Sequence, residues 1–221
     1  CLISIKKKPL IQLLINEVRK SNIKDISIVV GFRANFIKKA LIKNKDIKYI
    51  YNNKYKTTEM LYSLILALKK NNSDIIVSYS DILFNHKMIN NLIKKSKKQV
   101  TIPILENWKK IWKIRNKDPL VDGETLLINN KKNVTSIGEK IIDLKKIKYQ
   151  YMGIIYIPKK KRKNILSEYK KISKIKNMHA SKFLNYLIEK KFIINSVIEK
   201  KGWYEFDDYE DYKNYKIFFG N

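Results

Sequence analysis

Short apolar runs and longer amphipathic segments alternate along the chain. Runs rich in β-branched residues predict strands at 26–30, 47–51 and 100–105, and a further buried strand within the stretch 74–84, with Asp81 at its carboxyl end. Apolar residues at helical spacing predict helices from Pro9 and over 35–42, 59–70 and 86–95, with Thr57 or Thr58 capping the third. Strands that alternate with helices are typical of a doubly wound, mostly parallel α/β sheet.

The pattern changes after Glu106. A shorter rhythm predicts strands at 110–115, 124–128 and 134–137, with a hairpin turn at 129–132. The α/β pattern then returns, with a core strand at 151–157, helices at 160–172 and 180–190, a strand at 193–198 and a helix from about Asp208. We therefore expect one domain over 1–221, with a mixed sheet and an inserted antiparallel β lobe at about 106–150.

The composition is that of a globular protein with a substantial core, because 44% of the 221 residues are hydrophobic. No apolar run approaches the roughly 20 residues of a membrane span, and no secretory leader pattern opens the chain. Cys1 is the single cysteine, so no internal disulfide can form. We expect a cytoplasmic protein without membrane insertion, and a homodimer is left open.

The formal charge of +28 raises the alternative of a nucleic-acid-binding protein. However, only four of the 48 basic residues are arginines, whereas phosphate and base recognition favours the bidentate guanidinium. Lysines are spread over nearly every segment, and the densest cluster, 159–163, is typical of a solvated helix start. We therefore expect no nucleic-acid partner.

Asp81 follows the apolar run that begins at Asp74. Ligands of open α/β sheets bind beyond the carboxyl ends of strands, which makes Asp81 a candidate metal ligand. The alternative is an acid that caps the turn or the helix beginning near His86.

Asp207 stands in a similar place, between a short apolar alternation and a helix. Two carboxylates from two strand ends can hold one Mg²⁺, which prefers oxygen ligands and shares itself with substrate phosphates. Alternatively, Asp207 belongs to the acidic helix start at 207–211, where Asp208 is the candidate cap.

Several stretches together resemble the sugar-phosphate and choline-phosphate nucleotidylyltransferases, especially the branch with phosphocholine and 2-aminoethylphosphonate cytidylyltransferases. The similar stretches, in chain order, are Lys8-Pro9-Leu10-Ile11, Val29-Val30-Gly31-Phe32, 51–58, Tyr62-Ser63-Leu64, 80–84 and 203–207. On the acceptor side, 119–125, 137–140 and Tyr151-Met152-Gly153 resemble elements of the same family. The order of these matches is more specific than any one of them.

The resemblance implies the roles of further residues. Asp81 and Asp207 would hold Mg²⁺ and Lys140 would neutralise the acceptor phosphate, which makes these three the candidate catalytic residues. The substrate-binding candidates are Thr57, Thr58, Ser80, Asp122, Glu124, Glu139, Tyr151 and Gly153. Turn chemistry in a surface loop is the alternative for Asp122 and Glu124. His179 lies where relatives commonly carry an acidic residue, and its role is open.

The resemblance implies transfer of a nucleotidyl group, most simply CMP from CTP, to a small phosphonate or phosphate, with release of pyrophosphate. A sugar 1-phosphate nucleotidylyltransferase and a noncatalytic homologue that only binds ligand remain alternatives. The family's first strand and Gly-rich triphosphate loop would precede Cys1, so we expect the sequence to be part of a longer chain. We also expect residues 1–221 alone to bind triphosphate weakly and to be unstable.

Overall fold

The computed structural model describes residues 1–96, 98–115, 117–172 and 178–219. Its helices are α1 (Leu10–Lys20), α2 (Ala34–Ala40), α3 (Met60–Lys70), α4 (His86–Lys95), α5 (Trp108–Arg115), α6 (Pro119–Asp122), α7 (Lys159–Ile172), α8 (Ala180–Glu189) and α9 (Tyr209–Phe219). Its strands are β1 (Ser4–Ile5), β2 (Lys8–Pro9), β3 (Ser27–Val30), β4 (Lys48–Tyr51), β5 (Ile75–Ser78), β6 (Ile82–Phe84), β7 (Val100–Leu105), β8 (Glu124–Ile128), β9 (Val134–Lys140), β10 (Gln150–Tyr151), β11 (Ile154–Ile157), β12 (Ile194–Glu199) and β13 (Trp203–Glu205). A 3₁₀ turn spans Leu144–Lys146.

The central sheet is mixed, as the sequence predicts, but its described pairings are mostly antiparallel and not mostly parallel. Strand β11 lies between β5 and β7 and is antiparallel to both, so β5 and β7 run in the same direction. Strand β12 pairs in parallel with β7, and β10 adds an antiparallel partner to β7. Strands β3 and β4 form a separate parallel pair.

Helices cover both faces of this sheet, which confirms the doubly wound architecture. Alternation along β11 directs Ile154 and Tyr156 toward one core and Ile155 and Ile157 toward the other. Helices α1, α4 and α5 supply the first core, whereas α3, α7 and α8 supply the second. The predicted helices of the α/β part are thus confirmed to within a few residues.

The predicted strand before Asp81 is confirmed, and the one predicted at 151–157 is interrupted. The stretch 74–84 contains β5 and β6, because the chain turns at 79–81 and β6 leaves the central sheet to pair with β13. The stretch 151–157 is interrupted at Met152 and Gly153, where Gly153 has a φ of +70°. Both the turn and the interruption lie beside candidate site residues.

The inserted lobe is only partly a β structure. Strands β8 and β9 form the predicted antiparallel hairpin. The predicted strand at 110–115 is wrong, because this segment is helix α5. Trp108 and Trp112, spaced four residues apart, are both buried on one face of that helix, which is the spacing of a helix and not of a strand.

The predicted threonine cap of α3 is also wrong. The residue at the N-cap position is Glu59, whose side chain makes no capping hydrogen bond. The hydroxyls of Thr57 and Thr58 instead donate to the carbonyl of Lys54 at 3.3 and 2.8 Å. Among the described residues, no helix is both long enough and apolar enough to cross a membrane.

Candidate active site

Asp81 and Asp207 lie at the same end of the antiparallel pair formed by β6 and β13. Glu205 is opposite Ile82 in the register, and the N–H of Phe206 donates to the carbonyl of Asp81 at 2.8 Å. This hydrogen bond extends the ladder beyond the two strands. It therefore brings the residues on either side of Phe206, one of which is Asp207, to the level of Asp81.

The Asp81 carboxylate is in an unusual electrostatic position. Its Oδ1 atom is buried and has no hydrogen-bond partner within the described part of the chain. Burial raises the pKa of Asp81, and the negative charge of Asp207 raises it further. Asn85 caps helix α4 by accepting from the N–H of Lys87, so the alternative of Asp81 as the cap of that helix is wrong.

The sequence left open whether Asp207 is a metal ligand or part of the helix start, with Asp208 as the candidate cap. Asp208 Oδ1 accepts the N–H of Asp211 at 3.0 Å at the start of α9, which is the bond of a capping residue. The Asp207 carboxylate, 41% exposed, accepts a short hydrogen bond from Arg115. Asp207 is therefore free of the capping role.

Arg115 is a site residue that the sequence analysis missed. Its side chain is fully buried, and its guanidinium contacts four carboxylates. Nε donates to Asp211 at 2.9 Å and Nη1 donates to Glu205 at 3.0 Å, while Asp122 lies 3.6 Å from Nη1. One feature of the sequence points to Arg115. In a chain so biased toward lysine, an arginine marks a position that needs the planar guanidinium and its fixed set of hydrogen-bond donors.

Glu205 lies close enough to both candidate metal ligands for their charges to act on its pKa. Burial raises the pKa of Glu205 to about 8, and the charge of Asp207 acts in the same direction, although Arg115 opposes both. The neighbouring negative charges thus disfavour ionisation of Glu205, and Arg115 favours it. Glu205 is a second residue that sequence analysis did not find.

Tyr79 and Tyr151 connect this acidic cluster to the inserted lobe. Their rings meet edge to face at 5.9 Å between centroids. Burial raises the pKa of the Tyr79 hydroxyl, and the charges of Glu124, Glu205 and Asp81 raise it further. The structure thus gathers Tyr151, Glu124 and Asp81 around one tyrosine that the sequence analysis did not select.

The acceptor-side candidates of the hairpin lie at one end of it. Lys140 is opposite Glu124 in the register of β8 and β9, and the side chains of Glu139 and Lys140 are exposed. Glu124 accepts a hydrogen bond from the hydroxyl of Ser181 at 3.1 Å. Burial raises the pKa of Asp122, which lies at the end of α6 near Arg115.

The remaining candidates have no described contact with this cluster. Thr57 and Thr58 belong to the loop after β4, where Asn52 Nδ2 donates to the Thr58 hydroxyl at 3.3 Å. Ser80 is exposed beside Asp81. His179 is the N-cap residue of α8 and makes no capping bond with its side chain.

The donor set fits a hard divalent cation shared with a ligand. A buried carboxylate oxygen without a partner is a ready cation ligand, and Asp207 supplies a second carboxylate close enough to perturb the first. In the described ranges no group of three or more His, Cys, Asp or Glu residues is arranged to hold a metal ion. Two carboxylates suit Mg²⁺, which takes its remaining ligands from water and phosphate.

No protein-family profile matches the chain. The chain is similar to a CTP:phosphoglutamine cytidylyltransferase of Campylobacter jejuni, with 27% identity over 225 residues, covering 96% of this chain and 88% of the relative.

Solved structures show the same fold. The CTP:phosphocholine cytidylyltransferase of Streptococcus pneumoniae superposes with a TM-score of 0.76 at 19% identity, covering 98% of this chain and 87% of that one. The inositol-1-phosphate CTP transferase of T. maritima superposes with a TM-score of 0.72 at 16% identity, covering 92% and 78%. Over nearly the whole chain, the protein is thus similar in sequence to a cytidylyltransferase and shares the fold of nucleotidyltransferases.

Proposed function

We propose that this protein is a Mg²⁺-dependent cytidylyltransferase that transfers CMP from CTP to a small phosphate or phosphonate acceptor carrying an amine, and releases pyrophosphate. The observation that carries the proposal is the meeting of Asp81 and Asp207 at one end of the β6 and β13 ladder. The relative from Campylobacter jejuni, which its name describes as using CTP, supports the choice of nucleotide.

Asp81 and Asp207 would hold Mg²⁺ between them, and the bound ion would offset charge on the α-phosphate and on the leaving pyrophosphate. The chain's own contribution is mainly positional. The ladder fixes the Asp81 backbone through Phe206, and Arg115 fixes the Asp207 carboxylate, so neither group needs to reorganise during the reaction. The attacking group is the acceptor's own phosphate oxygen, which is ionised at neutral pH, so no general base is required of the protein.

The acceptor would lie between the acidic cluster and the hairpin. Glu124 and Asp122 are carboxylates that suit an ammonium group. The faces of the Tyr79 and Tyr151 rings also suit a cation. Lys140, exposed at the end of β9, is a cation for the acceptor's phosphate or phosphonate. Glu139 lies beside it, and Gly153 shapes the wall formed by Tyr79.

The nucleotide would lie on the other side of Asp81. Thr57, Thr58 and Ser80 follow the carboxyl ends of β4 and β5, where open α/β sheets bind their ligands. The loop of Thr57 and Thr58 is held by its own hydrogen bonds, which gives it a defined shape before any ligand binds.

A screen of pyrophosphate release tests the proposal. CTP, UTP, dTTP, ATP and GTP are each combined with phosphocholine, 2-aminoethylphosphonate, O-phosphorylated amino acids and hexose 1-phosphates, with and without Mg²⁺. We expect release with CTP and an amine-bearing acceptor only when Mg²⁺ is present. Release with hexose 1-phosphates instead would favour the sugar-phosphate alternative, and metal-independent release would contradict the role of Asp81 and Asp207.

A further inference from the structure

The guanidinium of Arg115 is fully buried among carboxylates. Arg115 is one of four arginines, and its side chain is fully buried in a chain whose other cations are nearly all exposed lysines. Burying a guanidinium is costly unless every N–H finds an acceptor. Here Nε, Nη1 and Nη2 each donate to a different carboxylate.

Two stacked tryptophans lie beneath Arg115. The guanidinium lies over the ring of Trp112 with its carbon 5.1 Å from the ring centroid, and Trp112 stacks on Trp203 at 6.2 Å with an interplanar angle of 11°. The indole N–H of Trp203 donates to the carbonyl of Met152 at 3.0 Å. Arg115 therefore rests on an aromatic stack that is tied to the strand region beside the site.

Asp211 holds the far side of Arg115 and also fixes Asp207. Its two oxygens accept from Nε and Nη2 of Arg115 at 2.9 and 3.2 Å, and the carboxylate is fully buried. The same Oδ2 atom accepts the backbone N–H of Asp207 at 2.8 Å. Asp207 is thus held at its backbone by Asp211 and at its carboxylate by Arg115.

We propose that Arg115 is a positioning residue, whose guanidinium fork fixes the Asp207 carboxylate against Asp81 and thereby sets the affinity of the site for a divalent cation. The proposal rests on the proposed function, because it takes Asp81 and Asp207 as the cation ligands. Nη2 of Arg115 donates to Oδ2 of Asp207, so Oδ1 of Asp207 is the oxygen presented to the ion. Partners that orient metal-ligating carboxylates typically change metal affinity by about 10–100-fold when they are lost.

The geometric role competes with a simple charge effect. A positive guanidinium beside a cation site repels the cation, so its removal would tighten metal binding if charge alone mattered. If position matters more, removal weakens binding although the site becomes more negative. The two accounts therefore predict opposite changes in the affinity for the metal.

The test uses Mn²⁺ as the probe, with free Mn²⁺ measured by its electron paramagnetic resonance signal in titrations of the full chain. We expect Arg115→Met to weaken Mn²⁺ binding about 10–100-fold. Arg115→Lys keeps the charge and loses the fork, so we expect it to fold and to bind about 10-fold more weakly than the wild type. Arg162→Met is the matched control, because Arg162 is only partly buried and donates to Asn72 instead of to a carboxylate, and it should bind as the wild type does.

Asp81→Asn separates this proposal from the proposed function. Unchanged Mn²⁺ binding in Asp81→Asn would overturn the assignment of the cation ligands themselves. If Asp81→Asn abolishes binding while a folded Arg115→Lys binds as tightly as the wild type, the ligands stand and the positioning role of Arg115 is wrong. Tighter binding in Arg115→Met would also overturn it. If Arg115→Met does not fold, the result for Arg115→Lys decides.

Discussion

Gly153 and Tyr79 are held in contact through both backbone and side chain. The N–H of Tyr79 donates to the carbonyl of Gly153 at 2.9 Å. A Cβ atom at position 153 would lie only 2.8 Å from Cδ2 of the Tyr79 ring, and the φ of Gly153 is +70°. A side chain at this position would therefore displace the ring that connects Glu124 to Asp81.

We expect Gly153→Ala to lower the free energy of unfolding by about 1–3 kcal/mol, because it adds backbone strain and overpacking together. The Michaelis constant for the acceptor should rise more than that for CTP, since we propose that Tyr79 lies on the acceptor side. Denaturant unfolding and steady-state kinetics measure the two effects.

Gly202→Ala is the control for backbone strain alone. Gly202 has a φ of +84°, but its added Cβ would meet only Asn85 Cβ, at an ordinary 3.6 Å. We expect about 1 kcal/mol of destabilisation and unchanged Michaelis constants. Equal kinetic effects in the two variants would contradict the role given to the Tyr79 ring.

Asp81 and Asp207 should respond differently to removal of their charge. Asp81→Asn removes a buried carboxylate whose pKa is raised, so the protein without metal should be no less stable than the wild type. Asp207→Asn removes a partner of Arg115 and should cost about 1 kcal/mol, a modest figure because the side chain is 41% exposed. Both variants should lose at least about 100-fold in pyrophosphate release.

Asp25→Asn is the control for these two variants. Asp25 is an exposed carboxylate paired with Lys48 at 2.8 Å, and neither stability nor turnover should change. Near-normal turnover in both Asp81→Asn and Asp207→Asn would show that these carboxylates hold no essential metal. Equal destabilisation of the two would contradict the electrostatic account of Asp81.

Local patterns were enough to predict the alternating strands and helices, because the buried faces of α1, α4 and α8 follow helical spacing. They also led to Asp81 and Asp207, since both carboxylates end apolar runs. The strand predicted at 110–115 failed because its apolar positions were read with a period of two. Trp108, Trp112 and Arg115 share one buried helical face.

The carboxylate cluster around Arg115 could not be predicted in the same way. Arg115 lies 90 or more residues along the chain from Glu205, Asp207 and Asp211, so only the folded chain brings them together. The only feature of the sequence that pointed to Arg115 was its residue type, an arginine among many lysines. Arg19 also uses two guanidinium nitrogens, because Nη1 donates to Asn44 at 2.7 Å and Nη2 donates to Asp46 at 2.7 Å. In a lysine-rich chain, an arginine is thus a useful marker of a position where several hydrogen bonds must be donated in a fixed geometry.

Lys140 is the candidate for the acceptor's phosphate, and the prediction is specific to that substrate. Lys140→Ala should raise the Michaelis constant for the acceptor about 10-fold or more and leave that for CTP nearly unchanged, because one charge-assisted contact is lost. Lys131→Ala, in the turn at the opposite end of the same hairpin, is the matched control. A rise in the Michaelis constant for CTP alone would contradict this assignment and would indicate that Lys140 contacts the nucleotide.

Asp74 gives a dependence of stability on pH that is separate from the active site. The backbone N–H of Lys159, with further hydrogen bonds from Tyr156 and Lys98, lowers the pKa of Asp74 from 3.8 to about 2. A carboxylate with a lowered folded-state pKa stabilises the fold above its unfolded pKa, and this stabilisation is lost as the pH falls toward the folded value.

We therefore expect Asp74→Asn to cost about 1 kcal/mol at pH 7, a value reduced for the 35% exposure of the side chain. The difference from the wild type should shrink between about pH 4 and pH 2. Urea unfolding at pH 7 and pH 3 measures it, with Asp25→Asn as the reference. If Asp74→Asn is less stable than the wild type by the same free energy at pH 7 and pH 3, the assigned pKa of Asp74 is contradicted.

The central claim is that Asp81 and Asp207 together support transfer of a nucleotidyl group. The most direct measurement follows the label from CTP that carries ³²P at the α-phosphate into an acceptor product, with and without Mg²⁺, for the wild type and Asp81→Asn. The account predicts labelled product only for the wild type with Mg²⁺. Equal labelling by Asp81→Asn, or labelling that does not depend on the metal, would contradict it.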